Sequence, residues 1–140
     1  MNGFLVDTNV LSEIERPRPS PKVLGFVRQT PLNVLFLSDV VVAEIRYGIE
    51  AAATSLRRDR LASLLRDVIR PMFVGRILPV TEDILVRWRW MVEAGRREGY
   101  TFEQSDALLA ATAAHYGMTV MTRDIEPLER AGVAVINPWQ

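Results

Sequence analysis

Short runs of apolar and β-branched residues alternate with longer helical patterns along this chain of 140 residues. The short runs predict strands at 4–6, 34–37, 77–80, 119–121 and 133–136, and the longer patterns predict helices at 20–29, 39–53, 55–73, 82–99 and 101–116. Strands that are joined by helical crossovers run parallel to one another. We therefore expect an α/β fold in three layers, with a parallel sheet of about five strands flanked by helices, in a single domain spanning 1–140.

Several residues mark where the predicted helices begin and end. Ser20, Asp39 and Ser55 are typical of helix starts, because their side-chain oxygens can accept hydrogen bonds from the first free N–H groups of a helix. Gly117 is typical of a helix end, since glycine tolerates the left-handed backbone found there. The segment 101–104 fits a capping box, in which two side chains accept hydrogen bonds from free N–H groups. These signals support the α/β pattern.

The chain contains no cysteine and a single histidine, His115. The lack of cysteine excludes disulfides, thiolate nucleophiles and cysteine-ligated zinc, and one histidine cannot form a histidine-rich zinc site. A metal bound by this chain would therefore be held by oxygen ligands. For the same reason, a mechanism of RNA cleavage that uses a pair of histidines is excluded.

Charge and hydropathy narrow the class of protein further. The 17 basic and 17 acidic residues give a net charge of zero, so no strong overall field attracts nucleic acid, and RNA binding would have to be local. The apolar stretch 32–45 is interrupted by Asp39 and Glu44 and is shorter than the roughly 18 residues of a membrane-spanning helix. Residues 1–9 lack the pattern of a secretory signal. We expect a cytoplasmic protein without a membrane segment.

Four acidic residues stand in unusual places. Asp7 follows the first predicted strand and Asp124 follows the fourth, at the carboxyl edge where open α/β sheets bind their ligands. Glu44 and Asp106 lie on apolar helical segments, and we expect the Glu44 carboxylate to be buried. Each acid also has an ordinary explanation: a helix cap for Asp7, a solvated face for Glu44, a helix dipole for Asp106 and a turn for Asp124.

Four carboxylates gathered at one edge would repel one another, by about 4 kcal/mol for a pair about 4 Å apart at an effective dielectric constant of about 20. Protonation would relieve the repulsion, as would pairing with Arg46 or Arg123, and a divalent cation would relieve it more completely. An all-oxygen ligand set selects Mg²⁺ or Mn²⁺ over zinc. Such a site suits phosphoryl chemistry, because a bound ion lowers the pKa of water and stabilises charge on the leaving oxygen.

Six segments carry the most informative motifs of the chain: FLVDTNVLSE at 4–13, SDVVVAEIRYG at 38–48, GRILP at 75–79, DALLAATA at 106–113, TVMTRD at 119–124 and VINPW at 135–139. Their order and spacing resemble those of the PIN-domain nucleases, specifically the VapC-type and FitB-like toxins of bacterial toxin–antitoxin pairs. The resemblance covers nearly the whole chain. It implies a PIN-like sheet, endoribonuclease activity that depends on Mg²⁺ or Mn²⁺, homodimerisation, and inhibition by an antitoxin that also binds operator DNA.

The resemblance also implies roles for particular residues. It assigns the catalytic, metal-binding site to Asp7, Glu44, Asp106 and Asp124, and supporting polar groups to Thr8, Asn9 and Thr122. Many relatives have an asparagine after the Thr-Arg pair and an aspartate three positions later. This chain has Asp124 and Pro127 at those positions, which leaves open whether there is a fifth acidic ligand and whether Glu126 contributes.

Three other functions are alternatives. A receiver-like signalling module needs a lysine near a late strand, and the only lysine here is Lys22. A phosphohydrolase with an aspartyl nucleophile needs a second aspartate two positions after Asp7, where Asn9 stands. A non-catalytic subunit of an antitoxin–DNA regulatory complex is the third alternative.

Two surface patterns suggest contacts with other molecules. Arg57, Arg58 and Arg60 precede an apolar helical stretch and could contact RNA phosphates or an acidic antitoxin segment, although such a run is usually a solvated helix face. Trp88 and Trp90 lie two positions apart, so on a helix they point in different directions. We expect one of these tryptophans to be exposed and to meet a partner chain.

Overall fold

The computed structural model describes residues 3–140, so Met1 and Asn2 of the expected 1–140 domain lie outside the described residues. Five strands form one parallel sheet in the order β3-β2-β1-β4-β5. The strands are β1 (Phe4–Val6), β2 (Leu35–Ser38), β3 (Ile77–Leu78), β4 (Thr119–Met121) and β5 (Val135–Ile136). Helices flank this sheet, which confirms the predicted α/β architecture and its strand number.

Eight helices connect the strands in the part of the chain that the structure describes. They are α1 (Thr8–Ile14), α2 (Pro21–Gln29), α3 (Asp39–Glu50), α4 (Ser55–Leu64), α5 (Arg70–Met72), α6 (Glu82–Arg97), α7 (Gln104–Tyr116) and α8 (Ile125–Arg130). A 3-10 turn at Leu32–Val34 precedes β2, and a π-helical turn at Leu65–Ile69 joins α4 to α5. All five predicted helical segments are present, although the π turn divides the third of them, 55–73, into α4 and α5.

Most of the predicted helix boundaries are confirmed. The Ser20 hydroxyl accepts a hydrogen bond from the Val23 N–H and caps α2, and Gly117, with φ of 66°, ends α7 in the left-handed conformation. α3 begins at Asp39 as expected, but its cap is Ser38, whose hydroxyl accepts from the Val40 N–H at 3.0 Å. The same kind of shift occurs at α4, where the cap is the residue before the predicted start.

Two local predictions are wrong, and two short helices were not predicted. The segment 101–104 does not form a capping box, because α7 begins only at Gln104 and the Glu103 side chain makes no capping hydrogen bond. α3 ends at Glu50, before the predicted end at position 53. The sequence pattern does not predict α1 and α8, because helices of 7 and 6 residues are too short to display a helical period.

The core is built around the two central strands and a helix of small residues. Leu5 of β1 and Val120 of β4 are fully buried, and the two residues face each other in the parallel register. Ala110 and Ala113 of α7 are also fully buried, and α7 packs against β4, α3 and α6. Small side chains let the α7 backbone approach its neighbours closely. This close packing holds the start of α7 near the carboxyl ends of the strands.

The strand order creates a switch point beside β1. From β1 the chain goes to β2 and β3 on one side of the sheet, and it then crosses to β4 and β5 on the other side. Crossovers that leave in opposite directions open a crevice at the carboxyl ends of the strands between them, and this crevice is where open α/β sheets bind ligands. The residues that directly follow β1 and β4 therefore line the expected binding crevice.

The longest helix described is α6, with 16 residues, and charged side chains interrupt its apolar face. Within residues 3–140, no helix is both long enough and apolar enough to cross a lipid bilayer.

Candidate metal centre

Asp7 lies at the switch point, directly after β1. Its backbone N–H donates to the Met121 carbonyl of β4 at 3.0 Å, which holds the residue beside the end of that strand. Asp7 Oδ1 accepts a hydrogen bond from the Thr8 N–H at 2.7 Å, and Oδ2 accepts one from the Thr122 hydroxyl at 2.8 Å. The residue is only 9% exposed. Asp7 therefore caps α1, as its ordinary explanation predicted, and a capping residue can still be part of a metal site.

The hydroxyl of Thr122 connects the two central strands. It donates to Asp7 Oδ2 and accepts hydrogen bonds from Asn9 Nδ2 at 3.1 Å and from the Asp124 N–H at 3.0 Å. One donor and two acceptors are the full capacity of a hydroxyl group. Asn9 in turn accepts from the Arg123 N–H at 3.3 Å through Oδ1. Two of the predicted supporting residues, Asn9 and Thr122, thus fix the geometry around Asp7.

The other three acids approach Asp7 from separate helices. Glu44 of α3 accepts a hydrogen bond from the Thr8 hydroxyl at 3.4 Å, so the third predicted supporting residue contacts this acid. Asp106 is half-buried in the first turn of α7. Asp124 is exposed at the N-cap position of α8, but its side chain makes no capping hydrogen bond. Its carboxylate is therefore available to the crevice.

The prediction that Glu44 is buried is wrong. Burial in α3 is confined to Val40, Val41 and Val42 of its first turn, and Glu44 in the next turn is exposed. Of the apolar neighbours that suggested burial, Val40 is buried and Ile45 packs against the core, but Ala43 is exposed, and the helix surface at Glu44 borders an open cavity. An exposed carboxylate at this position keeps the freedom to change rotamer.

The four predicted acids line one cavity, which we call the acidic cavity. Its lining residues are Asp7, Thr8, Asn9, Ser12, Glu13, Arg16, Glu44, Glu103, Ser105, Asp106, Arg123, Asp124 and Trp139. Glu126 is not among them; this exposed residue forms an ion pair with Arg130 at 3.3 Å. The structure therefore brings Asp7, Glu44, Asp106 and Asp124 together and leaves Glu126 outside the site.

Three acids of the cavity, Asp7, Glu44 and Asp106, have raised pKa values. Burial raises the pKa of Asp7, and the charge of Asp124 raises it further, while the hydrogen bonds from Thr122 and Thr8 oppose the shift. Loss of hydration raises the pKa of Glu44 and so does the charge of Asp7. The pKa of Asp106 is raised by burial first and then by the charges of Asp7 and Asp124. The repulsion expected from four gathered carboxylates is therefore present.

Arginine pairing does not relieve this repulsion. Across residues 3–140, none of the four acids forms an ion pair, and Arg46 does not line the acidic cavity. Arg123 lines it but makes no ion pair with Asp124 or Asp7. The negative charges are thus left to an external cation or to protons.

The four carboxylates are chemically suited to a hard divalent cation, but their present rotamers do not form a binding site for one. Carboxylate oxygens are the ligands that Mg²⁺ and Mn²⁺ prefer. In the described part of the chain, however, no three acidic or histidine side chains are arranged so that they could hold an ion as they stand. Glu44 and Asp124 are exposed, and exposed side chains change rotamer within nanoseconds. Ligation would therefore need these two side chains to turn toward Asp7.

Sequence reasoning missed Glu13 and Arg16 as residues of the cavity. Glu13 is buried, accepts a hydrogen bond from the Ser20 N–H at 2.9 Å, and forms an ion pair with Arg16 at 3.3 Å. A prediction of α1 would have revealed it, because Glu13 lies three positions after the buried Val10 on the same helix. Trp139 was missed as well, since its position after the last strand gave no signal of proximity to Asp7.

Comparison with known proteins identifies the family of this chain. The model of the PIN domain family matches residues 4–133. The chain belongs to the PIN domain family. This PIN domain is 34% identical over 137 residues to the VapC ribonuclease Y4jK of Sinorhizobium fredii, covering 98% of each chain. It is 36% identical over 136 residues to the toxin FitB of Neisseria gonorrhoeae, covering 97% of this chain and 98% of FitB.

A solved structure supports the same assignment. FitAB bound to an IR36 DNA fragment superimposes on this PIN domain with a TM-score of 0.89 at 35% identity, covering 98% of this chain and 96% of the other. The predicted resemblance is therefore confirmed. The receiver-like module and the aspartyl phosphohydrolase are excluded as families, because the PIN match extends over nearly the whole chain.

Proposed function

We propose that this PIN domain is the metal-dependent endoribonuclease toxin of a type II toxin–antitoxin pair. The observation that supports the proposal is the acidic cavity, which gathers four carboxylates from four separate segments without an arginine partner and in which the pKa values of Asp7, Glu44 and Asp106 are raised. Similarity to a protein named a ribonuclease and to one named a toxin supports the activity and its class.

Asp7, Glu44, Asp106 and Asp124 are the residues that would hold Mg²⁺ or Mn²⁺. When bound, the ion would lower the pKa of a water molecule and stabilise negative charge on the oxygens of the phosphodiester. Asp7 is held in place by two hydrogen bonds, whereas Glu44 and Asp124 are free to adjust. Thr122 and Asn9 orient the Asp7 side, and Glu44 is linked to it only by the exposed, 3.4 Å hydrogen bond that the Thr8 hydroxyl donates.

The proposal extends to the partners of the protein. We infer a cognate antitoxin that inhibits the nuclease, contact with operator DNA only through that antitoxin, and a homodimer. The similarity to FitAB, which was solved bound to a DNA fragment, supports the first two inferences. The 66% exposure of Trp90 supports a contact with a partner chain. Residues 1–140 would act as one PIN domain in the cytoplasm, where the RNA substrate is found.

The test is cleavage of total cellular RNA by the purified protein, with Mg²⁺ and with a chelator in excess. We expect cleavage with Mg²⁺ that the chelator abolishes, and a loss of at least about 100-fold in Asp106→Asn, since loss of a metal ligand removes the ion from the site. Asp106 is preferred to Asp7 because Asp7 also caps α1. Asp67→Asn is the matched control, because Asp67 is exposed, pairs with Arg66 and does not line the acidic cavity.

Cleavage that persisted in both the chelator and Asp106→Asn would refute the metal-dependent mechanism. Wild-type protein that did not cleave RNA but bound an antitoxin–DNA complex would instead favour the alternative of a non-catalytic subunit.

A further inference from the structure

The acidic cavity carries an excess of negative charge, which would repel the phosphate of an RNA substrate even with a metal ion bound. Six acidic residues and two basic residues line it, and RNA must bring a negatively charged phosphate into it. The acidic residues are Asp7, Glu13, Glu44, Glu103, Asp106 and Asp124, and the basic residues are Arg16 and Arg123. A substrate phosphate therefore has only two protein cations in the cavity lining with which to pair.

These two arginines are not equivalent. The Arg16 guanidinium is engaged by the buried carboxylate of Glu13 at 3.3 Å. Arg123 has no carboxylate within ion-pair distance among the described residues, although Asp124 is its neighbour in sequence. Its positive charge is thus uncompensated at the cavity wall and available to an incoming anion.

The Arg123 side chain is held by an aromatic ring from the end of the chain. Its Cζ atom lies 5.0 Å from the centre of the Trp139 ring. Trp139 is half-buried against the core, and its backbone N–H donates to Asn137 Oδ1 at 2.8 Å, which fixes the turn after β5. The backbone N–H of Arg123 donates to Asn9 Oδ1. Both the backbone and the guanidinium of Arg123 are therefore anchored.

The contact between the guanidinium and the ring is a cation–π contact, and the Arg123 side chain donates no hydrogen bond among the described residues. Its N–H donors are therefore available to another group. The planar fork matches the geometry of two phosphate oxygens. An exposed arginine that contacts an aromatic ring and has no acidic partner at the wall of an acidic cavity is thus suited to bind a phosphate.

We infer that Arg123 binds a backbone phosphate of the RNA substrate and that Trp139 is the residue that positions it. This inference rests on the proposed function, because it names the group that holds the substrate at the same cavity. It gives the segment after β5 a role in substrate binding, although that segment is distant in sequence from every proposed metal ligand.

The test is the salt dependence of RNA binding. A short, fluorescein-labelled single-stranded RNA of mixed sequence is bound to the Asp106→Asn protein, which prevents cleavage, and anisotropy is measured at fixed Mg²⁺ over a series of KCl concentrations. Adding Arg123→Gln should weaken binding about ten-fold, since a charge-assisted hydrogen bond is lost. It should also lower the slope of log affinity against log salt by about 0.7, the contribution of one phosphate contact to single-stranded nucleic acid. Arg89→Gln, which removes an exposed arginine outside the acidic cavity, is the matched control.

The positioning role of Trp139 has its own variants. Trp139→Leu should weaken binding about three-fold, the effect of losing a cation–π contact, whereas Trp139→Phe keeps an aromatic face and should stay close to the parent protein. In the Arg123→Gln background, Trp139→Leu should have no further effect. Circular dichroism establishes that each variant is folded.

Three results would overturn the inference: no binding of RNA by the parent, an Arg123→Gln slope equal to that of Arg89→Gln, or additive losses in the double variant. Cleavage by the wild-type protein is measured in parallel. If cleavage is intact while Arg123→Gln behaves like its control, only this inference fails and the proposed function stands.

Discussion

Replacing Thr122 with valine removes the hydroxyl that joins Asp7 to the rest of the site while conserving the shape of the side chain. Thr122 is completely buried, and its hydroxyl makes three hydrogen bonds. The bond to the Asp7 carboxylate contributes about 1.5–3 kcal/mol, as bonds to charged groups do. The Asn9 amide and the Asp124 N–H also lose their acceptor, although water can reach them in part. We expect Thr122→Val to lower the free energy of unfolding by about 3 kcal/mol.

Thr122→Ser is the matched control. Serine keeps the hydroxyl and all three of its hydrogen bonds but loses one buried methyl group. Loss of that methyl group should cost about 1 kcal/mol. The two variants therefore separate the contribution of the hydroxyl from the contribution of packing.

The difference in the free energy of unfolding between Thr122→Val and wild type should depend on pH. The hydrogen bond from Thr122 lowers the pKa of Asp7, so its loss raises a pKa that burial has already raised. A carboxyl group whose pKa is higher in the folded state stabilises the protein fully below its unfolded pKa, and this stabilisation is lost as the pH rises through the folded pKa. The loss of free energy of unfolding in Thr122→Val should thus be smallest at about pH 4 and largest at about pH 8.

Urea unfolding followed by circular dichroism, in chelator and across this pH range, measures both effects. A loss of unfolding free energy in Thr122→Val that is no larger than in Thr122→Ser, or that is the same at both ends of the pH range, would contradict this role of the hydroxyl.

Two further predictions use other parts of the structure. Because Asp7, Glu44 and Asp106 all have raised pKa values, the urea midpoint of the metal-free protein should fall as the pH rises above the ordinary carboxylate range. Mg²⁺ should restore the midpoint at about pH 8. A midpoint that rises with pH in chelator would contradict the mutual repulsion of these carboxylates. Gly95→Ala should destabilise the protein by about 1–3 kcal/mol, because the new Cβ would lie 2.8 Å from the Phe102 ring. Gly48→Ala, with open space around the new Cβ, should instead stabilise α3 by about 0.5–1 kcal/mol. Equal shifts of the thermal unfolding midpoint in the two variants would disprove this difference.

The regular part of the fold could be predicted because the chemistry of burial leaves a pattern in the sequence. β1 and β4 are apolar runs buried on both faces, which is what a central parallel strand requires. The longer helices show an apolar period or a cap residue such as Ser20. Short elements carry too few residues for such a pattern, so α1 and α8 were accessible only through the acids that precede them, Asp7 and Asp124, which occupy N-cap positions.

The site could be predicted in part for a similar reason. Asp7 and Asp124 follow strands, and topology alone brings the ends of β1 and β4 together. The exposure of Glu44 could not be predicted, because it depends on which turn of α3 leaves the sheet. Arg123 and Trp139 could not be paired either, since only the order of β4 and β5 brings their two segments side by side.

The four proposed ligands differ in how firmly the fold holds them, and the difference has a physical consequence. Asp7 is buried, and hydrogen bonds from the first residue of α1 and from Thr122 after β4 fix its carboxylate, so its position is set before any ion arrives. Glu44 and Asp124 are exposed and can adjust. Mg²⁺ demands a near-octahedral shell and retains several waters, so one fixed carboxylate with adaptable neighbours suits it better than a rigid cage. The same fixed carboxylate is costly when no ion is present, and the Thr122 hydroxyl offsets part of that cost, which is why stability and activity should both respond to this one side chain.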